Sequence, residues 1–363
     1  MNFNFTDEQQ MLRDSVRKFL EKSYDFDARQ SLVHSDAPWS ADVWQQFAEF
    51  GLLALPFSEE QGGLGGSISD CVAVSELFGE HLVIEPYVAS IILGGGALAA
   101  SDNEGAHHWL VKVQSGEATA TFAFEEQRGT PSLDQINMVA TPAGDSFTLT
   151  GEKRLVIAGG EADVLIVAAR NGEMGEPALF LTEQGGDGMA ARSFTSIDGR
   201  SAANITFDAA PAQKITGDRE LVERIVSHAI IVQCAEAVGA MGALLSATGE
   251  YAMTRKQFGV PIGSFQAVAH RLADMKIAYS KARSTLIYTT ALAESAAASS
   301  RDIAILKGQT GKLGLAIGEA AIQTHGGVGM TDELNISHYH KRLLALDAQF
   351  GRHGFHLRMV GRG

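Results

Sequence analysis

Between Arg224 and Glu250 a single residue, Glu236, carries a formal charge. Its neighbours are apolar, small or weakly polar, so the carboxylate faces a choice. Ionised and unpaired in a dry interior it would cost roughly several kcal/mol, or it would take up a proton instead. Three roles are open to it: an ion pair with a buried cation, for which Arg271, Arg283 and His270 on the following helix are candidates; a polar contact in a substrate cavity; or a general base, which must come within hydrogen-bond reach of an acidic carbon. A second set of residues suits an anion. In "TRKQFGVPIGSFQ" (254–266), Arg255 at a helix end can fork onto a phosphate, and Gln266 can add a hydrogen bond from the first turn of the next helix, with Ser264 as a plausible N-cap. In "IQTHGGVGM" (322–330), Gln323 precedes Gly326, Gly327 and Gly329, a loop against whose bare backbone a ligand can lie. Glycines after a helix are also the ordinary C-cap, so neither motif decides alone.

Other residues invite chemistry less strongly. His325, in the glycine loop, can contact a ligand or be satisfied by backbone. His338 and His340 are two apart, which on a helix points them to different faces, and no Cys or Asp completes a metal set; no metal is expected. "GEKR" (151–154) reads as a turn with solvated charges, and Asp70 and Glu76 as surface charges.

Three regions must position these groups. Residues 1–118 have helical periodicity. "FTDEQQMLRDSVRKFLEKS" opens with a capping box, Thr6 with Gln9 three positions on, and Phe5 can staple the first turn. "ADVWQQFAEFGLLAL", "ISDCVAVSELFGEHL" and "EGAHHWLVKVQSGE" are further helices. From 119 to 217 the period changes to two: "TATFAF", "SFTLTG", "RLVIAG", "DVLIVAAR", "PALFLTE" and "AANITF" are short strands separated by turn residues, as in a β domain. From 218 to 363 long helices return, over about 219–254, 264–297, 302–324 and 335–360.

Composition narrows the function. A formal charge of −14 opposes nucleic acid and anionic membrane surfaces, which need a basic footprint. The two cysteines, Cys71 and Cys234, stand in no metal or redox spacing and read as buried thiols in a reducing compartment. The first residues lack the apolar core of a signal peptide, and no run reaches the roughly 20 apolar residues of a spanning helix. The expected setting is cytoplasmic, with no membrane and no nucleic-acid partner.

The helix–β–helix order, taken with "FTDEQQMLRDSVRKF", "FGLLALPFSEEQGGLGGS", "RKQFG…FQ" and "Q-x-H-G-G-x-G", resembles the acyl-CoA dehydrogenase flavoprotein family over the whole chain. The resemblance implies an α+β fold: an N-terminal helical domain, a central β domain and a C-terminal four-helix bundle, the bundles meeting in a tetramer core. It implies FAD as cofactor, an acyl-CoA as substrate and an electron-transfer flavoprotein as electron acceptor. In this family one subunit grips the adenine-diphosphate end of its neighbour's FAD, and the matching residues here are Arg255, Phe258, Gln266, Gln323, Gly326 and Gly327.

The departures carry equal weight. Where the family has "T-E-P-x-A-G-S-D", this chain has "FAFEEQRGTPSLD"; where it has "W-I-T", with an aromatic on the flavin and a hydroxyl donor, this chain has Leu155 and Ile157. The base, a glutamate before a glycine near the C-terminus, is replaced by Phe350 before Gly351. At the alternative base position stands Ala229, seven residues before Glu236. Two helical turns is about 10.5 Å, too far for Glu236 to substitute without moving the substrate. The pattern resembles the smaller subunit of heteromeric acyl-CoA dehydrogenases, such as those for pimeloyl-CoA or steroid side-chain thioesters. "YDFDARQ", "CAEAVGAM" and "TRKQFGVPIGSFQ" carry that likeness. It implies a larger partner subunit that supplies the flavin cradle and the base. The rivals are a self-sufficient homo-oligomer with a shifted base, Glu236, and a non-catalytic flavin- or CoA-binding scaffold.

Overall fold

The computed structural model describes residues 6–126 and 133–362. Phe5, and the central part of the "FAFEEQRGTPSLD" segment, lie outside the described residues. The expected capping box is present: Thr6 Oγ1 accepts from the Gln9 N–H at 3.2 Å, and the Gln9 side chain accepts from the Thr6 N–H at 3.0 Å. It opens α1 (Asp7–Ser23), which buries Val16 and Leu20. The chain continues through α2 (Phe26–Val33), α3 (Ala41–Glu49) and α4 (Ile68–Glu80). A π-helical segment, Val88–Gly95, then leads into α5 (Gly96–Ala99) and α6 (Glu104–Ser115). The helix expected over "ADVWQQFAEFGLLAL" stops at Glu49, because Gly51 takes φ 74 and turns the chain. Neither α2 nor the π-helical segment is read from periodicity; the latter is apolar on every side and almost entirely buried.

The β region has strands β1 (Ala120–Ala123), β2 (Val139–Ala143), β3 (Ser146–Ile157), β4 (Val164–Asn171), β5 (Pro177–Glu183), β6 (Met189–Thr195) and β7 (Ser201–Thr216). The hydrogen-bonded path β4-β2-β3-β7-β5 closes on itself because β5 pairs with β4 as well as β7. Closure leaves no free edge on those five strands. β1 joins parallel to β4, and β6 antiparallel to β7. "SFTLTG" and "RLVIAG" form one strand, not two. "GEKR" is therefore no turn: Lys153 is fully buried, with Nζ 2.7 Å from Glu126 Oε1 and 3.2 Å from the Phe124 carbonyl.

The helical remainder comprises α7 (Arg219–Thr254), a two-residue hairpin of β8 (Lys256–Gln257) and β9 (Val260–Pro261), α8 (Gln266–Glu294), α9 (Ser300–His325), α10 (Asn335–Ala348) and α11 (His353–Arg362). The single helix expected over 335–360 is broken where Phe350 and Gly351 take φ 54 and 87. α8 starts at Gln266 without a side-chain cap, and Ser264 turns its hydroxyl to the Pro261 carbonyl instead. α7 does carry an 18-residue window long and apolar enough to cross a membrane, against expectation, but 78% of that window is buried inside the protein. Packing accounts for its apolarity.

By contacts the chain forms two compact units. One comprises residues 1–30, 68–83 and 230–363; the other comprises residues 31–67 and 84–229. In the first, α4 crosses α7 at backbone contact. A Cβ on Gly79 would stand 1.8 Å from the Glu236 carbonyl oxygen, and one on Gly239 would stand 1.8 Å from that of Glu76. Each helix thus brings an E-x-x-G segment to the crossing, and only glycine permits the approach. Ser75 Oγ donates to the Val232 carbonyl at 2.9 Å beside it.

Candidate functional site: a helix-end grip and a buried carboxylate

Glu236 lies in that crossing, 2% exposed. Arg342 of α10 meets it with both arms of its guanidinium: Nε donates to Oε1 and Nη2 to Oε2, each at 2.7 Å. None of the expected partners takes this place. His270 is exposed, Arg271 is half-buried, and Arg283 approaches Glu76 at 4.0 Å. Glu76 is itself no surface charge. It is 6% exposed and accepts from Arg13 Nη1 at 3.3 Å. Burial pushes its carboxyl above the ordinary range even though Arg13 and Arg283 pull the other way. The two glutamates of the crossing are matched: each precedes a contact glycine by three residues and each is met by an arginine. A bidentate, desolvated pair of this kind is strong in geometry and costly to break. Asp70 accepts from Gln9 Nε2 at 2.9 Å and is half-buried.

The anion-binding candidates gather elsewhere in the same unit. Tyr251, in the last turn of α7, and His325, the last residue of α9, stack with ring centroids 4.3 Å apart and planes 24° apart. Arg255 follows one turn after Tyr251, its N–H donating to the Tyr251 carbonyl at 2.8 Å. Gly326 directly follows His325 and caps α9 through the Ile322 carbonyl. The stack therefore brings together the two motifs that the sequence keeps about 70 residues apart. Arg255, Phe258, Gln266, Gln323, Gly326 and Gly327 are all exposed.

Two of these residues have conformations that the chain alone does not explain. Phe258 and Gly259 form the two-residue turn of the β8–β9 hairpin with φ 52 and 84, the geometry that favours Asn-Gly. A phenylalanine there costs about 1–2 kcal/mol, and its ring is 94% exposed, touching Phe265 edge-on at 6.2 Å between centroids. An exposed aromatic held in strain is the signature of a surface made for contact. At Gly327 a Cβ would meet nothing within 4 Å, so no internal packing requires glycine. A bare, exposed backbone suits the approach of a flat ligand, and an exposed guanidinium suits its phosphate. Gly329 differs: its Cβ would come 2.8 Å from the His325 Cβ, so the loop folds back onto the end of α9.

The positions that depart from the family pattern are also defined. Leu155 sits in a bulge of β3 opposite β7, with φ 51 and its N–H donating to Asn204 Oδ1 at 3.1 Å. Leu155 and Ile157 are both half-buried and offer neither an aromatic nor a hydroxyl. Phe350 is buried, and its carbonyl is held by His356 Nε2 at 2.7 Å. Ala229 is fully buried. His325 is satisfied by backbone, Nδ1 lying 2.9 Å from the Ala321 carbonyl, and His338 lies 3.4 Å from Arg29 Nη1. Cys71 and Cys234 are both buried, and among the described residues no group of three or more His, Cys, Asp or Glu could hold a metal ion.

Comparison with known proteins converges on one family. The acyl-CoA dehydrogenase N-terminal domain matches residues 6–117, and the acyl-CoA dehydrogenase C-terminal domain matches residues 220–363. The acyl-CoA dehydrogenase FadE27 of Mycobacterium tuberculosis is 27% identical, over 100% of this chain and 98% of that protein. The probable acyl-CoA dehydrogenase YngJ of Bacillus subtilis is 29% identical, over 93% of this chain and 92% of that protein. Among solved structures, the ChsE4-ChsE5 complex from Mycobacterium tuberculosis contains a chain that superposes with a TM-score of 0.92 at 26% identity, covering 100% of this chain and 98% of that one.

Proposed function

The chain belongs to the acyl-CoA dehydrogenase family, and from that premise we propose that it is one subunit of a two-protein, FAD-dependent enzyme that α,β-dehydrogenates an acyl-CoA thioester. Its own contribution is the grip on the adenine-diphosphate end of FAD. The observation that carries this reading is Phe258, fully displayed on a turn it strains. Such a residue serves a contact outside its own chain. The other five residues fit the same ligand. Arg255 offers a guanidinium to the diphosphate, Gln266 and Gln323 offer amide hydrogen bonds, and Gly326 and Gly327 leave backbone open to close approach. FAD, when bound, supplies the hydride acceptor for the substrate β carbon; the protein supplies position and electrostatics.

The larger partner supplies the flavin cradle and the base, because Leu155, Ile157, Phe350 and Ala229 stand where the resemblance expects ring contact, hydroxyl and carboxylate. Glu236 does not fill that gap: both its oxygens are engaged by Arg342. The likeness to a chain of the ChsE4-ChsE5 complex supports a heteromer, with an electron-transfer flavoprotein as the final acceptor. The test is to purify the tagged chain from its native host and, separately, alone from a foreign one, and to count flavin per polypeptide. A second dehydrogenase-like polypeptide and flavin are expected only in the first preparation. One FAD per chain in the second preparation would favour the self-sufficient homo-oligomer and overturn the proposal.

A further inference from the structure

We propose that the Tyr251–His325 stack is a positioning device that sets the spacing between the two halves of the grip, Arg255 on one side and Gly326–Gly327 on the other. The inference rests on the FAD-grip reading and adds two residues to which it gives no role. His325 is closed off at 6% exposed, and Tyr251 is half-buried. The imidazole is held by the Ala321 carbonyl at 2.9 Å, and Gly329, where no side chain fits, packs against the His325 Cβ. Tyr251 is part of the last turn of α7, and its carbonyl receives the Arg255 N–H. Each ring is thus coupled by backbone to one half of the grip, and the 4.3 Å stack is where the halves meet. A guanidinium that must reach a phosphate already seated on the glycine loop depends on that distance, since an offset of about 1 Å forfeits a charge-assisted hydrogen bond.

Positioning predicts coupling, which a merely structural stack does not. The measurement is the FAD dissociation constant of the complex purified from the native host, stripped of flavin and titrated by fluorescence anisotropy, with the urea midpoint followed in parallel. Arg255→Ala is expected to weaken FAD by about ten-fold in the parent complex and by less than about three-fold when Tyr251→Ala is already present. Tyr251→Phe, which keeps the ring, is expected to retain parental affinity. His325→Leu, which fills the space without a ring face, repeats the Tyr251→Ala result if that variant fails to fold. Arg255→Ala effects of equal size in both backgrounds would overturn the positioning role and leave the grip standing. No effect of Arg255→Ala in either background would overturn the grip itself, and the positioning role with it.

Discussion

Glu236 is accommodated in the interior because Arg342 meets both of its oxygens. The arrangement predicts what Glu236→Gln does. The amide leaves a buried guanidinium half-served, and breaking such a pair costs about 3–5 kcal/mol, so the urea midpoint falls while the folded fraction keeps its turnover. Arg342→Met falls by a similar amount, and the double variant recovers part of the loss. A Glu236→Gln complex with parental stability, full flavin and no turnover would show that the carboxylate is the base after all. The anomaly of Glu236 is visible in sequence, as one charge in a long uncharged run. Its partner is not, because Arg342 lies 106 residues away and nothing local marks it. Glu76 is hidden for the same reason: a lone glutamate near a glycine run suggests a surface position, and only the approach of Arg13 across 63 residues reveals a buried pair. Thr6 and Gln9, three residues apart, were fully legible.

At the scale of elements, the hairpin, the buried lysine and the helix crossing each make a forecast. Phe258→Asn gives the β8–β9 turn its favoured residue and should raise the urea stability by about 1 kcal/mol, while FAD binding by the complex weakens; an unchanged affinity would remove Phe258 from the grip. Lys153 ties β3 to the chain around Glu126, whose oxygens also accept the N–H groups of Asn137 at 2.7 Å and Met138 at 3.1 Å. Burial pushes the Lys153 ammonium from the ordinary 10.5 down to about 8, although Glu126 pulls it upward. Between those two values the unfolded chain holds a proton the folded one has released, so stability rises with pH across that window. Comparison of the native chain with Lys153→Met at pH values on either side of 8 should show that relative gain in the native chain; a flat difference would refute it. Gly239→Ala would drive a methyl into the Glu76 carbonyl and should cost about 3 kcal/mol or more, readable as a lower melting temperature. The long helices are legible from their length of chain without proline. β2 and β6 are not: β2 is short, and β6 is exposed along nearly its whole length, so neither shows the alternation of a half-buried strand. The break at Phe350–Gly351 is only half legible: Gly351 is an ordinary stop signal, but the left-handed turn begins one residue earlier, at Phe350.

On the scale of the whole molecule, the helix–β–helix order is legible, whereas the grouping of helices by contact is not, since α1 and α4 group with residues 150 or more positions later. A fragment spanning 218–363 therefore lacks α1, α4 and most of α2 from its own unit and is expected to show no cooperative thermal transition; a sharp one would contradict that grouping. The division between units is crossed by the backbone at 30/31, 67/68, 83/84 and 229/230. Such threading constrains inheritance as much as folding. If, as proposed, the chain no longer cradles a flavin of its own, the unit that holds the former cradle cannot be removed whole by one deletion, because α4, of the other unit, lies between its two stretches. A gene in this position can alter the side chains of a disused surface but must keep the scaffold beneath it. Decay is then expected as substitution, such as Leu155 and Ile157, and not as loss of the unit.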